Sequence, residues 1–259
     1  MFKLTVLGNS GPYPAQGGAC SGYLLKHDNT NIVIDLGSGT LANLASALSS
    51  ELECISAIIL SHLHADHISD ISVLRYALFR TSPTGKDGAA MQIPLYCPAA
   101  PELEYNTLKT YAQFEVNPIS EQLVLGIGGL TIRFAPMVHP YPAFAVSAQS
   151  ESAKFVYSGD TSWNQELVQF SEGAALLLAD ANLISQDRLA FKPIYHLTAE
   201  ECGIAAAEAG VARLLLTHFT PGSDIGRRIA EAKAGAQKVL GRSDSLIVEE
   251  ARILTSYEI

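Results

Sequence analysis

Basic residues are scarce in this sequence. Seventeen lysines and arginines stand against 26 aspartates and glutamates, a formal net charge of −9, and the isoelectric point is near 5.2. No Lys/Arg run exists to build a local basic patch. Broad affinity for nucleic acid needs cationic side chains to neutralise phosphates, so the composition argues against it. Long apolar runs are missing as well, and none approaches the roughly 20 residues of a membrane span. Met1 to Leu7 leads straight into a strand-like run without the apolar stretch of a secretory signal. A cytoplasmic protein with no membrane partner is the expectation. The four cysteines, Cys20, Cys54, Cys97 and Cys202, show no C-x-x-C spacing. They read as small buried or partly exposed thiols rather than a disulfide framework. No low-complexity linker interrupts the chain, so one domain over residues 1–259 is expected. At 48% hydrophobic residues it can bury a substantial core.

What is present begins with short β-runs. Leu4–Leu7, Gly22–Leu25 and Asn31–Asp35 are separated by Gly/Pro/Asn turns. Helix is predicted over Leu41–Leu48, from about Ser69-Asp70 to Phe79, and over Glu102–Tyr111. Strands are predicted at Ala57–Leu60 and Ile93–Tyr96, with Thr81–Ala90 a polar loop between. The second half repeats the rhythm. Strands fall at Leu130–Phe134, Ala143–Ser147, Phe155–Tyr157, Ala174–Leu178 and Arg213–Leu216. Helices fall near Gln165–Phe170, Ala199–Ala209 and Asp224–Lys238. This is an α/β pattern of two similar halves, each burying a sheet face against the other with helices outside.

Histidine is the residue that carries chemistry. Six of the seven fall into short motifs, and only His27 stands apart. Ser61-His62-Leu63-His64-Ala65-Asp66-His67 follows the apolar Ala57–Leu60 strand. In an extended segment His62 and His64, two apart, point the same way, toward one ion. Asp66 and His67 come after the chain turns and can face a second ion nearby. Imidazole suits Zn, Mn or Fe, and carboxylate suits the harder ions of that group. A surface loop rich in histidine is the plain alternative for any one of these residues. Three histidines and an aspartate directly after a buried strand argue against it. His139, Asp160 and His218 each follow another strand-like run, and Gly159 lets the backbone approach closely beside Asp160.

Taken together, these residues resemble the metallo-β-lactamase fold. His62 to His67 match its H-x-H-x-D-H motif, and His139, Asp160 and His218 match its later motifs. Asp35-Leu36-Gly37 matches its early Asp-x-Gly turn, where the aspartate is structural. The resemblance implies a four-layer αββα sandwich with the site at one edge of both sheets. It implies two divalent ions, zinc foremost, with manganese or iron as alternatives. The first ion would take His62, His64, His139 and Asp160, and the second Asp66, His67, His218 and the shared Asp160. Within the superfamily the chain is most similar to the ribonuclease Z-like and phosphodiesterase-like branch. The marker is His196-Leu197-Thr198 followed by Ala199-Glu200-Glu201-Cys202-Gly203. In that branch such a histidine assists catalysis, and an acidic residue orients it. Here that residue is Asp180, where glutamate is usual. Thr198 also reads as a helix cap against Glu201.

The implied activity is hydrolysis of a small or nucleotide-like phosphodiester by a metal-bridging hydroxide. Asp66 can receive the nucleophile's proton, and His196 can protonate the leaving oxygen. Only 20 residues separate His139 from Asp160, so there is no room for the tRNA-binding arm of many ribonucleases Z at that place. Lactone, thioester or sulfate-ester hydrolysis on the same core is the alternative activity. A non-enzymatic metal-binding or regulatory module is the alternative of another class. Pocket walls are expected from Gly8–Ser21, Thr81–Ala90, Pro140–Pro142 and Ser185–Tyr195. Tyr13, Tyr141, Phe191 and Tyr195 are candidates to stack on a ring. Relatives of this branch are often dimers, so a homodimer is a further expectation.

Overall fold

Two seven-stranded sheets carry the chain. They belong to a computed structural model that describes residues 2–81, 92–190, 192, 194–241 and 246–259. The first half supplies β1 (Lys3–Gly8), β2 (Gly22–His27), β3 (Thr30–Leu36), β4 (Ala57–Ile59), β5 (Ile93–Cys97) and β6 (Phe114–Pro118). Its helices are α1 (Thr40–Ala47), α2 (Ala65–Ile68), α3 (Ile71–Thr81) and α4 (Glu102–Lys109). The second half supplies β7 (Val124–Ile127), β8 (Leu130–Met137), β9 (Ala143–Gln149), β10 (Lys154–Tyr157), β11 (Leu176–Asp180), β12 (Arg213–Thr217) and β13 (Ile247–Glu250). Its helices are α5 (Gln165–Phe170), α6 (Asp187–Ala190), α7 (Ala199–Glu208) and α8 (Ile225–Leu240). The last strand, β14 (Ser256–Glu258), crosses over and pairs with β1.

The strand orders are β14-β1-β2-β3-β4-β5-β6 and β13-β12-β11-β10-β9-β8-β7. Each sheet is antiparallel on one side and parallel on the other. The parallel runs are β3 to β6 and β10 to β13. All ten strands expected from the apolar runs are present. The four that were not expected, β6, β7, β13 and β14, are the four edge strands. Phe-Glu-Val-Asn-Pro and Ile-Val-Glu-Glu are partly exposed, so they lack the continuous apolar signature of a strand buried on both faces.

Alternation along the strands builds the layers. On β12, Leu215 points between the sheets beside Tyr23, Ile34 and Tyr157. Its neighbours Leu214 and Leu216 pack outward with Ala205, Ala206, Ala232 and Ala236 of α7 and α8. On the opposite face Leu24, Val33 and Leu36 pack with Leu44 of α1 and Ile71, Leu74 and Leu78 of α3. The order is helix, sheet, sheet, helix, as the αββα expectation requires. The residues expected to form a polar loop at Thr81–Ala90 lie outside the described residues, except Thr81, which ends α3.

Helices α7 and α8 touch backbone to backbone. A Cβ on Gly203 would sit 1.8 Å from the Ala232 carbonyl oxygen. Gly203→Ala must therefore push the helices apart, and we expect it to cost about 2–3 kcal/mol, the range for overpacking a close-packed interior. Urea unfolding of the variant beside the parent measures this, and an unchanged midpoint would count against so close an approach.

Candidate metal centre

The centre forms where the parallel strands of both sheets end. β4 runs out at Ile59 and delivers Ser61, His62 and His64. The chain then turns into α2, a single helical turn that carries Asp66 and His67. From the second sheet, β8 leads to His139, β10 to Asp160, β11 ends on Asp180 and β12 leads to His218. Asp160 Oδ2 is the hub. It lies 3.2 Å from His218 Nε2, 3.4 Å from His67 Nε2, 3.7 Å from His62 Nε2 and 3.9 Å from His196 Nδ1. Asp66 Oδ2 lies 3.6 Å from His67 Nε2 and 3.8 Å from His218 Nε2. His62 Nε2 and His64 Nδ1 are 3.2 Å apart. Every residue singled out from the sequence for this centre is brought to it.

Outer partners decide which ring nitrogen faces in. His67 Nδ1–H donates to Asp35 Oδ2 at 2.7 Å. Ser61 Oγ donates to the same oxygen at 2.8 Å, which leaves His62 Nδ1–H to donate to Ser61 Oγ at 3.2 Å. Ser21 Oγ lies 3.0 Å from His218 Nδ1. Three imidazoles are thus held through Nδ1 and present Nε2 to the centre, the arrangement by which outer groups orient metal-binding histidines. Asp35 also accepts from the Ser61 backbone N–H at 2.7 Å and from Tyr157 Oη–H at 3.0 Å. Asp35 and His218 both adopt left-handed φ, 54° and 59°, backbone strain of the kind found at functional sites. Gly11 leaves room for the His218 ring: a Cβ there would lie 2.0 Å from its Cε1. Gly159, at φ 59°, would place a Cβ 2.9 Å from the Phe144 carbonyl oxygen. The close approach expected beside Asp160 is therefore present.

Burial and charge set the protonation of the centre. Burial and the neighbouring His67 hold His62 well below its ordinary value, and burial also lowers His64. Burial pushes His139 down to about 4. These three rings are neutral, the form that donates a lone pair to an ion. Burial opposes the charge of Asp160, yet His218, His67 and His62 hold its carboxyl well below the usual range. Burial likewise opposes a charged His196, but the Asp180 carboxylate lifts it to about 9.

The donor set fits divalent ions. His67 Nε2, His139 Nδ1 and Asp160 Oδ1 are buried without a hydrogen-bond partner, and buried polar atoms ordinarily have one. His62, His64 and His139 form one group able to hold an ion, and Asp66, His67 and His218 form another. His62, His67 and Asp160 form a third group that joins the two. Because Asp35 orients His67, Asp35→Asn is expected to weaken divalent-ion binding about 10- to 100-fold. Zinc titration against a chromogenic chelator would measure it, and unchanged affinity would count against this orienting role.

His196 stands beside this group. Its Nδ1–H donates to Asp180 Oδ2 at 2.9 Å, which leaves Nε2 for the pocket it lines. The cap is present as well: Glu201 N–H donates to Thr198 Oγ1, and the Thr198 N–H donates to Glu201 Oε2. The two roles coexist because the cap uses none of the His196 ring. A pocket of about 350 Å³ opens here, lined by His64, His139, Pro140, Asn182, Leu183, Ile194, Tyr195 and His196. Of the expected aromatic candidates, Tyr195 lines it. Tyr141 packs against His64 with ring centroids 4.1 Å apart and planes tilted by 37°, Tyr13 is exposed outside the lining, and Phe191 lies outside the described residues. Sequence reasoning did not find Ser61, Ser21, Tyr157 or Asn182. Only Ser61, next to His62, carries a positional signal.

Comparison with known proteins agrees with this geometry. Residues 30–219 match the family model described as "Beta-lactamase superfamily domain". The probable metallo-hydrolase YhfI of Bacillus subtilis (strain 168) is 32% identical over 219 residues, covering 84% of this chain and 87% of that protein. The crystal structure of YhfI, a metallo-beta-lactamase fold protein, superposes with a TM-score of 0.85 at 28% identity, covering 100% of both chains. Ribonuclease Z of Mycobacterium sp. (strain KMS) is 27% identical over 249 residues, covering 85% of each. The short form of human tRNase Z shares the fold, with a TM-score of 0.73 at 19% identity over 99% of both chains.

Proposed function

We propose, for a chain that belongs to the beta-lactamase superfamily of metallo-hydrolases and to its ribonuclease Z-like branch, that it is a dinuclear phosphodiesterase acting on a small or nucleotide-like diester. The observation that carries this reading is the His196–Asp180 pair, 2.9 Å apart and directed at the pocket beside the metal centre. Hydrolysis of a thioester, whose thiolate departs readily, does not call for such a proton donor on the leaving-group side. The ribonuclease Z relative, a nuclease by name, favours phosphodiester chemistry.

His62, His64 and His139 would hold one ion, Asp66, His67 and His218 a second, and Asp160 both. Zinc suits the imidazole-rich set best, with manganese or iron as alternatives. Bound there, such ions supply Lewis acidity: they acidify a water near neutral pH and offset charge that develops on the phosphoryl oxygens. The protein's own groups do the rest. Asp66 takes the proton of the attacking water as its oxygen bonds to phosphorus. His196 gives its Nε2 proton to the departing oxygen as the phosphorus–oxygen bond breaks. Pro140, Leu183, Ile194 and Tyr195 offer an apolar wall for one substituent of the diester. About 350 Å³ suits a nucleoside-sized group as that substituent.

Hydrolysis of bis(p-nitrophenyl) phosphate by zinc- or manganese-loaded protein tests the reading. Activity that a chelator removes and added metal restores is the expected result. Metal-loaded protein that cleaves no diester but cleaves a lactone, thioester or sulfate ester would overturn it.

A further inference from the structure

Arg228 is buried near the start of α8, with 5% of its surface exposed. Its guanidinium bonds to backbone carbonyls rather than to a carboxylate. Nε–H donates to the Ala181 oxygen at 2.9 Å and Nη2–H to the Asn182 oxygen at 2.5 Å. Withdrawing a guanidinium from water is costly, and a neutral side chain would fill the space without that cost. The two carbonyls directly follow Asp180, and the peptide between them carries the Asn182 N–H. That N–H donates to Asp180 Oδ1 at 3.0 Å, while Oδ2 accepts from His196 at 2.9 Å. The Asn182 side chain reaches the other way and donates to the carbonyls of Gly11 and His218. The same helix face grips the segment that follows. Glu231 Oε2 accepts from the Ser185 N–H, and Arg227 Nη2–H donates to Gln186 Oε1. The fork of Arg228 therefore closes on the two peptides that flank Asn182, whose N–H holds Asp180 Oδ1; the Thr161 N–H donates to Oδ2 from the other side at 3.4 Å.

We propose that Arg228 is a positioning residue for His196: by fixing the Ala181 and Asn182 carbonyls it holds Asp180 so that His196 Nε2 points at the leaving oxygen. This rests on the reading of His196 as the proton donor in diester hydrolysis. Lysine cannot make the same two-point contact, because its ammonium is a point charge rather than a planar fork.

The test uses full-length, zinc-loaded protein and two diesters, methyl p-nitrophenyl phosphate and methyl phenyl phosphate. Phenolate leaves less readily than p-nitrophenolate and depends more on a proton donor. Arg228→Met and Arg228→Lys are compared with His196→Ala and with the Arg228→Lys/His196→Ala double variant, and zinc content is measured for each. We expect the Arg228 variants to keep their zinc. They should lose about 10- to 100-fold in kcat on methyl phenyl phosphate, with a much smaller loss on the p-nitrophenyl ester. The double variant should be no slower than His196→Ala. Equal losses on both esters, losses that follow zinc content, or losses that multiply with His196→Ala would each overturn the proposal and leave Arg228 a structural clamp. If Arg228→Met does not fold, Arg228→Lys decides by the same criteria. If His196→Ala itself shows no dependence on the leaving group, the underlying proton-donor reading fails, and this proposal fails with it. If His196→Ala shows that dependence and the Arg228 variants do not, only the positioning role is overturned.

Discussion

Asp160→Ala is expected to strip the centre of metal and to lower diester hydrolysis by about 10²–10³-fold or more, the scale of losing a principal electrostatic stabiliser. The reason is its position. One carboxylate oxygen stands within 3.9 Å of nitrogens from four histidines, contributed by both sheets. No other carboxylate among the described residues reaches as many. Without it the two ligand groups have no shared member, and the centre loses the charge that offsets two cations. Asp160→Asn separates charge from shape, because the amide fills the same volume. It should lose metal nearly as completely as alanine does. Elemental analysis of dialysed protein gives the metal per chain, and bis(p-nitrophenyl) phosphate gives the rate. An Asp160→Asn protein that kept two ions and most of its activity would refute the shared role.

His196→Ala should behave differently. We expect kcat to fall about 10²–10⁴-fold, the usual contribution of a positioned proton donor, while metal content stays at the parent level. His196 is on the rim: its side chain is 27% exposed, whereas those of His62 and His67 are 0% exposed. Its Nδ1 is already engaged by Asp180. Removing the ring leaves His62, His64, His67, His139 and His218 in place. It also leaves the Thr198–Glu201 cap intact, so the fold should not suffer. Metal analysis and rate together separate this outcome from that of Asp160: activity lost with metal retained in one variant, both lost in the other. Loss of metal in His196→Ala would make His196 a ligand instead. The ion would then sit among His139, Asp160 and His196, which also form a group able to hold one.

Much of this was legible in the order of residues. The ten interior strands announce themselves because each carries a buried apolar stretch, continuous in β11 and β12 and alternating with exposed residues in β8. The edge strands β6, β7, β13 and β14 escape notice for the opposite reason: one side meets water, so their sequences alternate weakly or carry glutamates. The ligand cluster is legible because metal binding restricts residue type severely. Few roles besides metal binding set histidine and aspartate together directly after buried strands. The α2 turn was not legible. Ala-Asp-His-Ile is too short to show helical period, and it forms in place beside residues that bind its neighbours.

The metal-binding character of the site was thus written in the chain: six histidines and three aspartates in short motifs, most of them after buried strands, and a capped helix after His196. Its orientation was not. Asp35 and His67 are 32 positions apart, Tyr157 and Asp35 122, and Arg228 and Ala181 47. Local sequence cannot encode bonds over such spans: Tyr157 meets Asp35 only once the two sheets pack face to face, and the other two form only once α2 and α8 have docked on their own sheets. Side-chain type determines which atoms can bind an ion or move a proton. Only the packed sandwich determines which nitrogen of each ring faces inward, and which carboxylate the two ligand groups share.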